Sequence, residues 1–477
     1  MAQNDLFIKM TETKISKLIP RLAIPTIISM LVTSIYNMAD TFFVGMLADP
    51  IQNAAITLAA PIMLAFNVIS NLLGVGTASM MSRSLDAKDY KTVKQSSAFG
   101  FYGTLFSGLL FFIVYTIFKQ PIMELMGVQV NTEFATNIYM FWTVTWGALP
   151  TILHIVMLNI IRAEGKSVLA SAGVAVGCIL NIILDPIFVL PWGLNMGASV
   201  AWCATFLSNC ASCIFYFIIL YKKRVKMFAS ISIKDLVLNK KVDSGVCSIG
   251  VPASIQTLLN VTSITILNNF TVIYGATAVS AISIAQKINS IPLNIALGGS
   301  QEMIPLISYT YASKNYKRMK NAVNYTRNVM LIFLILCSSV SFILAKSFVG
   351  VFMNSSDIST YGSQLLRGFS LGIPFLCLDY LSVAIFQAVG MGKYAFFFAI
   401  ARKIILEIPS LIILNSFFPL YGLAYAQFVT EIILSIISII VLRRLFHNLI
   451  WLNTWHINAK SIFEFFNNSS NRILYYI

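Results

Sequence analysis

About twelve apolar runs, each roughly 20 residues long, follow one another along this 477-residue chain and leave it few ways to fold. A run of that length crosses the hydrocarbon of a bilayer as a helix. With no water there, a lipid-exposed backbone must satisfy its own hydrogen bonds, which leaves helices or closed barrels. The runs are too long and too evenly apolar for the alternating strands of an outer-membrane barrel. Composition agrees: 57% of residues are hydrophobic and 11% charged, against about 25% charged in an ordinary soluble domain. The sequence therefore predicts an all-α, multi-pass membrane protein.

The predicted spans lie near 20–47, 51–81, 95–118, 136–161, 168–190 and 196–221, then 246–274, 278–311, 325–349, 361–389, 394–418 and 422–442. Of the 33 Lys and Arg residues, 29 lie at the termini or in stretches that follow even-numbered spans, and 7 of these fall in 222–241. By the positive-inside rule both termini are expected in the cytoplasm of a cell (plasma or inner) membrane. The net charge of +15 is thus an orientation signal; dispersed over short loops, it does not suit nucleic-acid binding. No cleavable leader is predicted before the first span. The seven cysteines fall in predicted spans, which excludes an extracellular disulfide framework, and the Cys210-x-x-Cys213 pair is read as small-residue helix packing.

The chain also repeats itself. Ile-Pro-Thr-Ile-Ile-Ser around Pro25 returns as Val-Pro-Ala-Ser-Ile-Gln around Pro252 (252 − 25 = 227). Ala-Lys-Asp-Tyr-Lys from Ala87 returns as Ser-Lys-Asn-Tyr-Lys from Ser313 (313 − 87 = 226), and Gly165-Lys166 as Gly392-Lys393 (392 − 165 = 227). Six spans per unit is an even number, so both halves face the same way and are related by a pseudo-twofold along the membrane normal. The expected division is a segment 1–19, a six-helix bundle 20–221, a basic linker 222–245, a second six-helix bundle 246–445 and an amphipathic or disordered tail 446–477.

Charges inside spans are costly, about 2.5–3.5 kcal/mol or more, and so mark function. Asp40 and Asp185 each lie 19 residues beyond a basic residue, Arg21 and Lys166 respectively. That places both roughly 28 Å up a helix. Asn181 shares the face of Asp185, and Asn37 that of Asp40. Pro186 frees the carbonyl of Ile182 beside Asp185, and Pro25 frees that of Arg21 and lets the first helix bend. Two carboxylates close together in low dielectric cannot both ionise cheaply, so such a pair suits a proton, and its oxygens suit Na+ equally. In the second half, Glu302, Asp379, Glu407 and Glu431 lie 12 to 14 residues from basic residues, near mid-bilayer. Two arrangements are open for them: an acidic wall that attracts cationic cargo or a second proton, or pairing with Arg402, Lys403 or Lys287.

In Ile24–Gly45 (IPTIISMLVTSIYNMADTFFVG), Arg162–Ser167 (RAEGKS), Leu180–Phe188 (LNIILDPIF), Gln301–Tyr311 (QEMIPLISYTY) and Phe386–Gly390 (FQAVG), the chain resembles the prokaryotic branch of the multidrug and toxic compound extrusion (MATE) family. The resemblance implies a cation-coupled antiporter exporting cationic, lipophilic small molecules, with H+ or Na+ as coupling ion and no other cofactor. It assigns the coupling site to the first bundle, at Asp40, Asn181 and Asp185, with Thr205 and Asn159 as further matches. Glu302 stands where many members have glycine, and the seventh span lacks the acid that some members use.

The 35 Phe, 19 Tyr and 19 Met suit a deformable, greasy cavity able to hold cations. An ATP motor is excluded because Ile160 stands where a phosphate loop ending in Gly165-Lys166-Ser167 needs glycine. A flippase for lipid-linked sugars would want basic residues in its cavity. A membrane enzyme would need a catalytic cluster, and with three histidines, His154 being read as a packed helix residue, no metal centre is predicted. A passive channel fits two homologous bundles poorly. The expected partners are small molecules and lipids, with the protein working as a monomer.

Overall fold

The computed structural model describes residues 13–46, 50–126, 128, 133–189, 201–222, 227–237, 239–352 and 356–473. Within these, the side chains of 37–46, 50–58, 60, 86, 125, 189, 201, 276, 352, 356–358 and 448–473 lie outside the described set. Twelve helical rods follow in order. The first half contains α1 (Ile15–Met46), α2 (Pro50–Asp86), α3 (Tyr90–Ile117), α4 (Glu133–Met140, a π segment Phe141–Trp146, then Ala148–Ala163), α5 (Ser167–Val189) and α6 (Ala201–Lys222). The second contains α7 (Lys240–Val272), α8 (Ala276–Gln301 and Met303–Ala312), α9 (Tyr316–Ile343), α10 (Ser356–Ala388), α11 (Gly392–Ile400, a π segment Ala401–Glu407, then Ile408–Phe417) and α12 (Tyr421–Ile473). Among the described residues nine helices are long and apolar enough to cross a membrane, and α4, bent by 45°, makes ten. The other two rods, α8 and α11, carry the interruptions and their charged side chains.

Each interruption has a proline just downstream. Pro150, Pro305 and Pro409 cannot donate to the carbonyls of Trp146, Gln301 and Ile405, so the ladder opens at Trp146–Gly147, at Glu302 and in the π segment of α11. The repeat is visible in the turns. Lys88 and Lys314 both adopt positive φ (55° and 56°). The next residue caps the following helix in each case: Asp89 accepts from Thr92 N, and Asn315 from Arg318 N, both at 3.1 Å. Short helices at Lys119–Leu125 and Ala345–Phe352 then follow α3 and α9 alike.

Large apolar side chains face outward along the rods, as a lipid-facing surface requires: Phe106, Leu109 and Ile113 on α3, and Ile332, Leu336 and Ile343 on α9. The halves meet where the repeat pairs them, α2 against α7 and α1 against α8. The α2–α7 crossing is close because glycines remove side chains from it. A Cβ on Gly250 would lie 2.1 Å from the Leu72 carbonyl oxygen, and one on Gly76 2.4 Å from that of Val246. These glycine contacts lie in the halves of α2 and α7 nearest the basic loops. The halves are therefore closed together on that side. Beyond the predicted end of the last span, α12 continues as helix to Ile473, because nothing in its sequence breaks the ladder there.

Candidate functional site

Three polar assemblies stand out, one within each half and one between them. In the first half, α5 brings Asn181 and Asp185 to one buried face; they are 2% and 1% exposed. With the Asn181 amide turned to satisfy its neighbours, its nitrogen donates to Asp185 Oδ2 at 2.7 Å. Its oxygen then accepts from Thr205 Oγ1 of α6 at 3.3 Å and from Thr205 N at 3.2 Å. Beside them lies a cavity of about 180 Å³ lined by Thr33 and Tyr36 of α1, Asn67 of α2, and Thr151 and His154 of α4, among others. Pro186 follows Asp185 within α5, so the Ile182 carbonyl has no ladder donor at that turn. Asp40 and Asn37 are on α1, but their side chains lie outside the described residues. Pro25 is inside α1, which remains one continuous helix there.

Asn159 does not join this group. Its amide donates to the Ile155 carbonyl one turn back, at 2.9 Å. It faces a different small cavity, with Ser82, Arg162, Gln301 and Gln387. It sits on the face of α4 that looks toward α2 and the second half, away from α5.

The four acids of the second half do not form an open wall. Arg402, in the π segment of α11, lies between two of them: its Nη1 is 3.2 Å from Asp379 Oδ2 and its Nη2 is 2.7 Å from Glu431 Oε1. Lys403 pairs with Glu407 at 2.6 Å, and Ser263 of α7 donates to the same carboxylate. Asp379, Glu431 and Arg402 are all buried, with the guanidinium 4.8 Å from the Tyr380 ring centroid. Of the two arrangements open for these acids, pairing with Arg402 and Lys403 is therefore the one the structure adopts. A carboxylate in hydrocarbon requires such a partner.

Glu302 has yet another environment. It lies at the break in α8, 1% exposed, and Lys287 is not its partner. Arg162 Nε, from the end of α4, lies 2.6 Å from Glu302 Oε1. Thr26 of α1 donates to Oε1 at 2.5 Å, and Ser167 of α5 donates to Oε2. Arg162 Nη1 also donates to Gln301 Oε1 at 3.0 Å. Three helices of the first half therefore converge on one carboxylate of the second. Arg162 was not a site candidate in the sequence, where it resembled any loop cation. The available signal was an acid three residues ahead of a helix proline, Glu302 before Pro305, beside the carbonyl of Gln301 that the proline frees.

Between the halves lies a cavity of about 270 Å³ bounded by α2, α7, α8 and α10. Its polar lining is uncharged and includes Asn71, Gln256, Asn260, Ser300, Tyr380 and Gln387. Tyr380 separates it from the Arg402 cluster.

This architecture coincides with a family pattern. The MatE family model matches twice, at residues 25–187 and 252–413, two blocks 227 residues apart at their starts. The chain belongs to the MatE family. Its members are membrane transporters rather than enzymes. Among curated MatE relatives, the chain is 28% identical over 432 residues to the multidrug export protein MepA of Staphylococcus aureus, covering 90% of this chain and 94% of that protein. It is 27% identical over 421 residues to MepA of Staphylococcus saprophyticus, covering 88% and 91%. Among solved structures, an outward-facing multidrug resistance MATE family transporter superposes with a TM-score of 0.87 at 22% identity, covering 93% of this chain and 98% of that one. A transporter of the MOP superfamily from Pyrococcus furiosus, described as having a binding pocket of reversed polarity, superposes with a TM-score of 0.85 at 22% identity over the same shares. These two likenesses establish the MatE fold.

Proposed function

We propose that this MatE chain is a secondary active efflux transporter that expels cationic or lipophilic small molecules by antiport with H+ or Na+. One observation carries the coupling reading: the Asp185 carboxylate is buried in the first half, bonded to Asn181 and beside a polar cavity, at a depth where an idle charge is costly. Asp40, on α1, is the proposed second carboxylate of that site. Binding of a proton or Na+ there changes the charge that α1 and α5 must accommodate, and the two six-helix halves (20–221 and 246–445) rock about the cavity between them. The neutral lining of that cavity suits varied lipophilic cargo. The relatives named multidrug export proteins support that cargo class. The positive-inside rule supports a cytoplasmic sealed side and cytoplasmic termini, which makes the cavity that of an outward-facing state; the proposed working unit is the monomer. An ion crossing a 100 mV potential supplies about 2.3 kcal/mol per charge to drive the cycle.

The test is purified protein in liposomes with an imposed proton or sodium gradient and a fluorescent lipophilic cation. Gradient-dependent movement of the dye is expected; no response to either gradient overturns the proposal.

A further inference from the structure

A cavity of about 740 Å³, the most spacious of those described above, lies outside the transport path, between α9, α10 and α12 at the basic-loop end of the second half. Its walls change character along their length. Lys320 and Arg327 of α9 and Arg443 and His447 of α12 gather at one end. Further along the same helices toward the membrane centre come Leu331 and Ile439, over a floor of Leu378 and Leu381 of α10. Among the described residues none of the four basic side chains is in an ion pair. The Arg327 guanidinium is held by the Asn328 side-chain oxygen, at 2.9 and 3.1 Å, which leaves its charge uncompensated.

The internal repeat indicates what such a groove needs. Its counterpart in the first half, between α3, α4 and α6, is covered by the chain itself. After α6 an extended strap brings Met227, 7% exposed, into one apolar cluster with Phe101, Leu153 and Leu220. The strap is tied down by Ser230 N donating to Ser97 Oγ at 2.9 Å and by Tyr102 Oη donating to the Ile231 carbonyl at 3.0 Å. Among the described residues no such strap follows Leu442, because the α12 helix runs on unbroken to Ile473. The second groove keeps the apolar floor, lacks the covering strap among the described residues, and has a cationic rim.

We propose that this groove is a binding site for an anionic phospholipid of the leaflet facing the basic loops, with the phosphate among Lys320, Arg327 and Arg443 and an acyl chain along Leu331, Leu378 and Ile439. Charge complementarity selects the headgroup, and the apolar floor requires a tail that a free phosphate lacks.

Native mass spectrometry and thermal unfolding of the full-length protein in detergent, with phosphatidylglycerol, phosphatidylcholine or inorganic phosphate added, test this directly. Phosphatidylglycerol should be retained and should raise the unfolding temperature, whereas phosphatidylcholine and inorganic phosphate should do neither. Arg327→Gln/Arg443→Gln should weaken phosphatidylglycerol retention by about 30-fold, the effect of removing two basic contacts. Lys91→Ala/Lys94→Ala, which removes two exposed charges from α3, should leave it unchanged and guards against a general charge effect. Equal retention of phosphatidylcholine, an equal shift with inorganic phosphate, or unaltered retention in the Arg327/Arg443 variant each overturns the site. A several-fold gain in retention on deleting 448–477 would assign the groove to the chain's own tail instead.

Discussion

Arg162 Nε and Glu302 Oε1 lie 2.6 Å apart although 140 residues separate them in sequence (302 − 162 = 140), and the pair joins the two halves of the repeat inside a buried polar cluster. Thr26 and Ser167 complete the coordination of the carboxylate, so opening this interface exposes or strands a charge. Removing one partner of a buried ion pair costs roughly 3–5 kcal/mol, whereas replacing both with apolar groups costs much less. Arg162→Met and Glu302→Gln should each lower the unfolding temperature in detergent. Arg162→Met/Glu302→Met should regain most of the loss; additive losses would mean that the two groups do not act as a pair.

The glycine crossing of α2 and α7 leads to a second expectation. Any side chain at Gly250 meets the Leu72 carbonyl oxygen, a backbone atom that cannot swing aside. Gly250→Leu should therefore wedge the halves apart on the basic-loop side at a cost of about 1–3 kcal/mol. Spin labels on α2 and α7 near that end should report a longer distance than in the unsubstituted protein, and export should fall. An unchanged distance would refute the close-packed crossing.

Arg402 holds two buried carboxylates at once. Arg402→Met leaves Asp379 and Glu431 facing each other without a cation, and like charges in low dielectric repel strongly. The protein should unfold at a markedly lower temperature, and Arg402→Met/Glu431→Gln should be more stable than Arg402→Met alone. A single variant as stable as the original would mean the cluster is not ionised.

Outside the membrane, Asp89 caps α3 and pairs with Lys241 at 3.0 Å. The Thr92 hydroxyl bond, followed by the Lys241 contact, lowers its carboxyl to about 2. A depressed folded-state value means that its contribution is present above the ordinary carboxylate value of 3.8 and is lost as pH falls through about 2. Unfolding temperatures measured down that range should fall less steeply for Asp89→Asn than for the unsubstituted protein. Equal slopes would remove Asp89 as a contributor.

How much of this was legible in the sequence depends on whether the deciding interaction was local. The twelve rods followed from apolar length, and the repeat from three landmarks, one of which reappears as matched turns at Lys88 and Lys314. The proximity of Asn181 and Asp185 followed from helical spacing alone. Partners across the fold did not. Arg162 meets Glu302 only because α8 breaks above Pro305, and Arg402 lies inside the bilayer only because a π segment extends α11 through it. Pairing with Arg402 and Lys403 was one of two arrangements that depth alone allows for the second-half acids, whereas Arg162, at the end of α4, carries no sign in sequence of the buried acid it meets. Motif likeness groups Asn159 with Asp185, yet the face of α4 that carries it looks toward α2 and the other half.

The coupling account meets its most direct test in liposomes carrying the unsubstituted, Asp185→Asn or Asp40→Asn protein, with dye movement followed under imposed proton and sodium gradients. The account predicts gradient-driven export by the unsubstituted protein and a loss of at least about tenfold in each variant, since an asparagine can neither release a proton nor supply charge to Na+. Full gradient-driven export by the Asp185→Asn protein would contradict it.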